Sequence, residues 1–144
     1  MARPLTVLID TNVLLDVILG REPWVEEAAQ LLDAVAAGAV AGAMAAHAVT
    51  TVYYVTEQAK GHAVAATAVS DLLELLPVVP LDSADFTRAL TLGLRDFEDA
   101  VQVAAALRVG ARILVTRNAK DFRGAPVEVR SPSDVLALLP RRRR

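Results

Sequence analysis

Short apolar runs, separated by stretches of helix length, constrain this chain more than any other feature. The runs are "LTVLI" (5–9), "AVAGAM" (39–44), "VVPL" (78–81), "RILVT" (112–116) and "VEV" (127–129). Each is too short for a helix and reads as a strand. Between them lie segments predicted as helices: 12–20, 22–38, 47–61, 62–76, 82–94 and 96–110, with 131–139 last. Their stops are chemical: Gly20, Gly38, Gly61 and Gly110 end helices, as does Pro77. Pro23 stands near the start of one helix, and Ser131 followed by Pro132 opens the last as N-cap and N1. Strands alternating with helices predict an α/β fold, a central parallel sheet covered by helices on both faces. There is no internal repeat and no linker. We therefore expect one domain over residues 1–139 and a basic tail, "PRRRR", over 140–144.

The balance of charges limits what the chain can bind. The net charge is −2, but four of the basic residues are Arg141–Arg144; the rest of the chain holds 11 basic and 17 acidic residues, net −6. An acidic body of this kind does not coat nucleic acid unaided. If it handles phosphate, a metal must first neutralise part of its charge. With no cysteine, thiolate zinc sites, thiol catalysis and disulfides are excluded, and a cytoplasmic location is the expectation. Asp10 breaks the first apolar run too early for a signal peptide. Residues 34–56 carry no charge and are long enough to cross a bilayer. They are mostly Ala and Gly, however, with His47 and several Thr, so they read as a helix end, a strand and the next helix rather than a membrane span.

Two strands end in polar residues: "DTN" (10–12) after the first, and "TRNAKD" (116–121) around the end of the late one. Ligands of open parallel sheets sit beyond the carboxyl ends of the strands. The helix opening "DFED" (96–99) is expected at the same edge, so Asp10, Asp96, Glu98, Asp99 and Asp121 are candidates to converge. Clustered carboxylates raise one another's pKa and are best reconciled by a hard divalent cation such as Mg²⁺ or Mn²⁺. Simpler roles compete. A turn or cap role is the lesser alternative for Asp10, and Asp96 reads mainly as the cap of its helix. Asp99 fits capping less well, because it lies on the border of the face continued by Val103 and Ala106. Asp16, Asp33, Asp71 and Glu74 read as solvated or ion-paired helix residues. His47 and His62 read as structural or surface residues, and Trp24 as core or interface.

"VLIDTNVLLDVIL", "DFEDAVQVAAAL" and "ILVTRNAKDF", in this order and spacing, resemble the motifs of PIN-domain ribonucleases. The resemblance is closest to the toxins of VapC-type toxin–antitoxin pairs. It implies a compact parallel sheet with helices on both sides and Mg²⁺- or Mn²⁺-dependent cleavage of RNA. It also implies a homodimer restrained by a small antitoxin protein. Carried over by position, Asp10 and Asp99 are metal ligands and catalytic acids, joined by Asp121. Thr116 and Asn118 shape the site and orient metal, water or phosphate. Asn12 holds the loop, and Arg117, Lys120 and Arg95 are cations near the acids. One departure stands out: where the family places a Glu in the helix after the second strand, this chain has "HAVTTVYY", with Thr51 near that place. Glu57 lies about 240° further round the helix; Glu98 is the better candidate to restore the acid.

The leading expectation is therefore a metal-dependent endoribonuclease toxin in which a metal-activated water attacks the phosphodiester. The alternative is a catalytically weakened PIN domain that binds RNA or protein. A phosphatase of the haloacid-dehalogenase type needs a second acid two residues after the first, where Asn12 stands. A phospho-receiver domain needs an acid after the middle strand, and "AVAGAM" is followed by none.

Overall fold

The computed structural model describes residues 4–140, and Arg141–Arg144 lie outside them. Five parallel strands form the sheet: β1 (Leu5–Ile9), β2 (Val40–Ala45), β3 (Val78–Val79), β4 (Ile113–Val115) and β5 (Glu128–Arg130), in the order β3-β2-β1-β4-β5. β1 is central, with Val7 paired to Gly42 on one side and to Ile113 on the other. Side chains alternate between faces along a strand, and β1 supplies both halves of the core. Val7 and Ile9 join Leu14, Leu31, Val52, Leu72 and Val135, from helices α1 (Thr11–Ile18), α2 (Val25–Ala36), α3 (Ala46–Lys60), α4 (His62–Leu75) and α7 (Pro132–Leu138). Leu8 joins Val103 and Ala106 of α6 (Phe97–Val109) on the opposite face. The expected two-sided α/β architecture is thus present.

α6 is buried all round over Ala100–Ala106, because α5 (Ser83–Thr91) covers the face turned away from the sheet. The small side chains of "AVQVAAA" make this possible: they let strands and α5 approach the same helix. Gly42 answers a similar demand in β2, where an added Cβ would lie 3.0 Å from Val35 and 3.2 Å from Ile9. The uncharged stretch 34–56 is the end of α2, β2 and most of α3. Among the described residues no helix is long and apolar enough to cross a membrane.

Boundaries differ from the sequence reading in several places: α1 ends at Ile18 rather than at 20, and β3 is Val78–Val79 rather than 78–81. α2 begins at Val25, after a turn over 22–24, so Pro23 precedes the helix instead of opening it. α5 ends at Thr91, and Gly93, with φ +73°, carries the chain into the loop before α6. "AKDF" forms a short 3-10 helix, Ala119–Phe122, which places Phe122 in the core. The strand order reverses between β1 and β4: β2 and β3 lie on one side of β1, β4 and β5 on the other. The crevice for a ligand is therefore expected beyond the ends of β1 and β4.

Candidate active site

Asp10 follows β1 directly, and its N–H continues the ladder by donating to the Val115 carbonyl at 2.9 Å. Although Asp10 is the N-cap of α1, its side chain makes no capping bond. The Thr116 hydroxyl donates to its Oδ2 at 2.9 Å instead, and that hydroxyl in turn accepts from the Asn118 N–H at 3.1 Å. The ends of β1 and β4 are thus tied together through one buried carboxylate, 4% exposed. Burial pushes its pKa up to about 6; the charge of Glu98 adds to this, while the Thr116 bond and the Arg117 charge oppose it. The cap reading of Asp10 thus gives way to a carboxylate held by β4's end.

α6 brings the second acid. Asp96 caps this helix, its carboxylate accepting from the Asp99 N–H at 3.1 Å, as the sequence suggests. Asp99 is half-buried, and its pKa is pushed up to about 7, first by burial and then by the charges of Asp96, Asp10, Asp121 and Glu98. Asp10 and Asp99 line one cleft together with Asn12, Thr51, Glu98 and Gln102. Glu98 turns towards α3, where the Thr51 hydroxyl lies 3.2 Å from its Oε1. A carboxylate from α6 thus stands beside Thr51 of α3. Glu57 points elsewhere, its carboxylate 4.0 Å from the His62 ring.

Asp121 is exposed and lines a second groove with Arg95, Lys120 and Arg123; Asp99 lines both. Arg117 does not reach into the cleft. Its Nε donates to Asp16 Oδ2 at 2.8 Å, and its guanidinium lies 3.8 Å over the Trp24 ring. Asp16, one of the acids read as solvated or ion-paired, is a buried ion-pair partner, 1% exposed.

Sequence reasoning missed Gln102 and Arg21. Gln102 is buried one turn beyond Glu98 and Asp99, and its Nε2 donates to the Thr11 hydroxyl at 2.8 Å, which leaves Oε1 buried without a partner. Its spacing from Glu98, four residues along one helix face, was the available signal. His47 is a further neighbour: its ring nitrogens are buried and unpartnered, and burial lowers its pKa against the charge of Glu98.

Among the described residues no three His, Cys, Asp or Glu side chains gather closely enough to enclose a metal ion. Mg²⁺ does not require that; it keeps several waters and is commonly held by one or two carboxylates. Two carboxylates with raised pKa and an orphaned amide oxygen in one cleft suit such an ion.

The family model for the PIN domain matches residues 6–120, and the chain belongs to that family. Solved structures add detail. A chain of a toxin–antitoxin complex from Klebsiella pneumoniae is 26% identical, with TM-score 0.66, over 88% of this chain and 97% of that one. A chain of DNA-bound VapBC from Salmonella typhimurium is 15% identical, with TM-score 0.70, over 89% and 98%. A sarcin–ricin-loop-cleaving VapC toxin of Mycobacterium tuberculosis is 16% identical, with TM-score 0.63, over 75% and 86%. The likenesses to these last two concern the fold. No curated protein matches the chain in sequence.

Proposed function

We propose that this protein is a Mg²⁺- or Mn²⁺-dependent endoribonuclease, the toxin of a toxin–antitoxin pair. One observation carries the reading: Asp10 and Asp99, from distant parts of the chain, line one cleft, where burial and neighbouring carboxylates raise both pKa values. A bound divalent ion would supply Lewis-acid polarisation of a phosphate oxygen and ease ionisation of water. Asp10 and Asp99 would hold that ion. Thr116 fixes the Asp10 carboxylate, and Gln102 holds Thr11 at the start of α1. Glu98, which accepts from the Thr51 hydroxyl, would take the proton of the attacking water. Lys120, Arg95 and Arg123 lie along the adjoining groove, where a polyanionic strand would meet positive charge.

The test is cleavage of RNA with Mg²⁺ or Mn²⁺ by wild type and Asp10→Asn. We expect the variant to lose at least about 100-fold in rate; undiminished cleavage rules the mechanism out. The alternative, a PIN domain that binds RNA or protein without cutting, draws support from the sparse ligand set. Absence of Mn²⁺ binding at millimolar concentration would decide for it.

The antitoxin reading has support from the toxin–antitoxin complexes among the similar structures. An apolar groove lined by Val17, Ile18, Val64 and Leu75 offers room for a protein segment. A homodimer, the family's usual form, would cover the exposed Phe86, Leu90 and Phe97 of α5 and α6; a monomeric mass in solution counts against it. These roles place the protein in the cytoplasm.

A further inference from the structure

Asp16 carries one negative charge and faces two arginines. Arg117 takes the close contact, with Nε 2.8 Å from Oδ2, and is further held on the Trp24 ring. Arg21 stands off, with its NH1 3.7 Å from Oδ1, and that oxygen has no hydrogen-bond partner. A separation of 3.7 Å is too long for a hydrogen bond. The single charge of Asp16 is thus largely matched by Arg117, and Arg21 keeps most of its own. Its backbone is nevertheless fixed: the Arg21 N–H donates to the Asp16 carbonyl at 3.0 Å, and its own carbonyl accepts from Val25 at 2.8 Å.

Arg21 also lines the cleft of Asp10, Glu98 and Asp99, and it is the only Lys or Arg that does so among the described residues. Its side chain is 32% exposed. An RNA strand entering this cleft meets carboxylates, and a cation among them offsets their repulsion of the strand. The second groove, which shares Asp99 with this cleft, has its own cations in Arg95, Lys120 and Arg123. From the geometry we infer that Arg21 is the substrate-binding cation of the Asp10 cleft itself, contacting a phosphate of the bound RNA next to the one that is cut. This rests on the ribonuclease reading and assigns part of its substrate site. A guanidinium matches two phosphate oxygens with two parallel N–H donors. Asp16 is its resting partner when the cleft is free.

The experiment compares wild type, Arg21→Gln and Arg21→Lys. Binding of a fluorescently labelled, cleavage-resistant phosphorothioate RNA is measured by anisotropy in Mg²⁺ over a salt series. Cleavage kinetics are measured on ordinary RNA. The inference expects Arg21→Gln to weaken binding about 10-fold at low salt and to lower the slope of log K against log salt by about 0.7. It expects KM to rise several-fold and Arg21→Lys to restore most of the salt slope. Thermal melting of the variants should match wild type. Wild-type binding and cleavage with an unchanged Arg21→Gln salt slope overturns the Arg21 assignment and leaves the ribonuclease reading standing. A lower melting temperature with an unchanged slope would make Arg21 merely an ion-pair partner of Asp16. Wild type that neither binds nor cuts RNA overturns both.

Discussion

Thr116 and Arg117 are neighbours in the chain with opposite tasks. Thr116 turns into the sheet edge and holds Asp10, while Arg117 turns to the other side of α1 and neutralises the buried Asp16. Removing one partner of a buried pair costs about 3 kcal/mol or more where the other charge is stranded, and the distant Arg21, 3.7 Å from Asp16, compensates only in part. Arg117→Ala should therefore lower stability by roughly that amount in a denaturant titration, with any loss of cleavage following loss of folded protein. Thr116→Val should behave differently. It keeps the shape but removes the donor to Asp10, one of the influences that hold its pKa down. Partners that orient metal ligands matter about 10- to 100-fold in affinity, so we expect Mn²⁺ binding by calorimetry to weaken within that range while the fold persists. Sequence alone places both residues at the strand end but not on their separate sides. Glu98 shows the same gap: helical spacing puts it beside Asp99, yet only the packing of α3 against the sheet brings Thr51 to its carboxylate.

Elements were legible wherever local chemistry determines them. β1, α3 and α6 fall within a residue of their expected bounds, since Pro, Gly and capping side chains act on the backbone next to them. The start of α6 at Asp96 and of α7 at Ser131 are direct examples. The 3-10 turn at Ala119–Phe122 was not legible, because burial of Phe122 against the far face of the sheet dictates it. The failure of Asp10 to cap α1 was equally hidden: a donor from β4, remote in sequence, captures its carboxylate. α5 was only partly read, and it carries a testable cap. Asp82 accepts from the Ala84 and Asp85 N–H groups, and Asp85 returns a bond to the Asp82 N–H. Arg108 of α6 pairs with both acids, at 2.6 Å to Asp85 and 3.3 Å to Asp82. Asp82→Ala should cost about 1 kcal/mol from the lost cap and loosen α5 from α6, seen as faster amide exchange confined to those helices.

For the molecule as a whole, burial of the Asp10 and Asp99 carboxylates costs stability once they are charged. Asp10 and Asp99 have folded-state pKa values of about 6 and about 7, above the ordinary 3.8. Between about pH 4 and pH 7 the folded chain therefore binds more protons than the unfolded one, and these two groups make stability fall as pH rises through that window. Asp85 acts in the opposite sense: hydrogen bonding from the Asp82 backbone lowers its pKa, so its contribution is lost only as pH falls below the ordinary carboxylate range. At pH 8 the Asp10 penalty alone is roughly 2–3 kcal/mol. Asp10→Asn keeps an acceptor for Thr116 without the charge. In EDTA its melting temperature should therefore exceed that of wild type at pH 8 by about 5 °C, and the two should converge near pH 4. An ion bound only by the folded state adds about 2.7 kcal/mol at one hundred times its Kd. Millimolar Mn²⁺ should consequently raise the wild-type melting temperature at pH 8 and leave Asp10→Asn largely unmoved. If the two proteins keep the same difference in melting temperature at pH 4 and pH 8, Asp10 is not held near pH 6. If Mn²⁺ stabilises both equally, the ion binds away from this cleft.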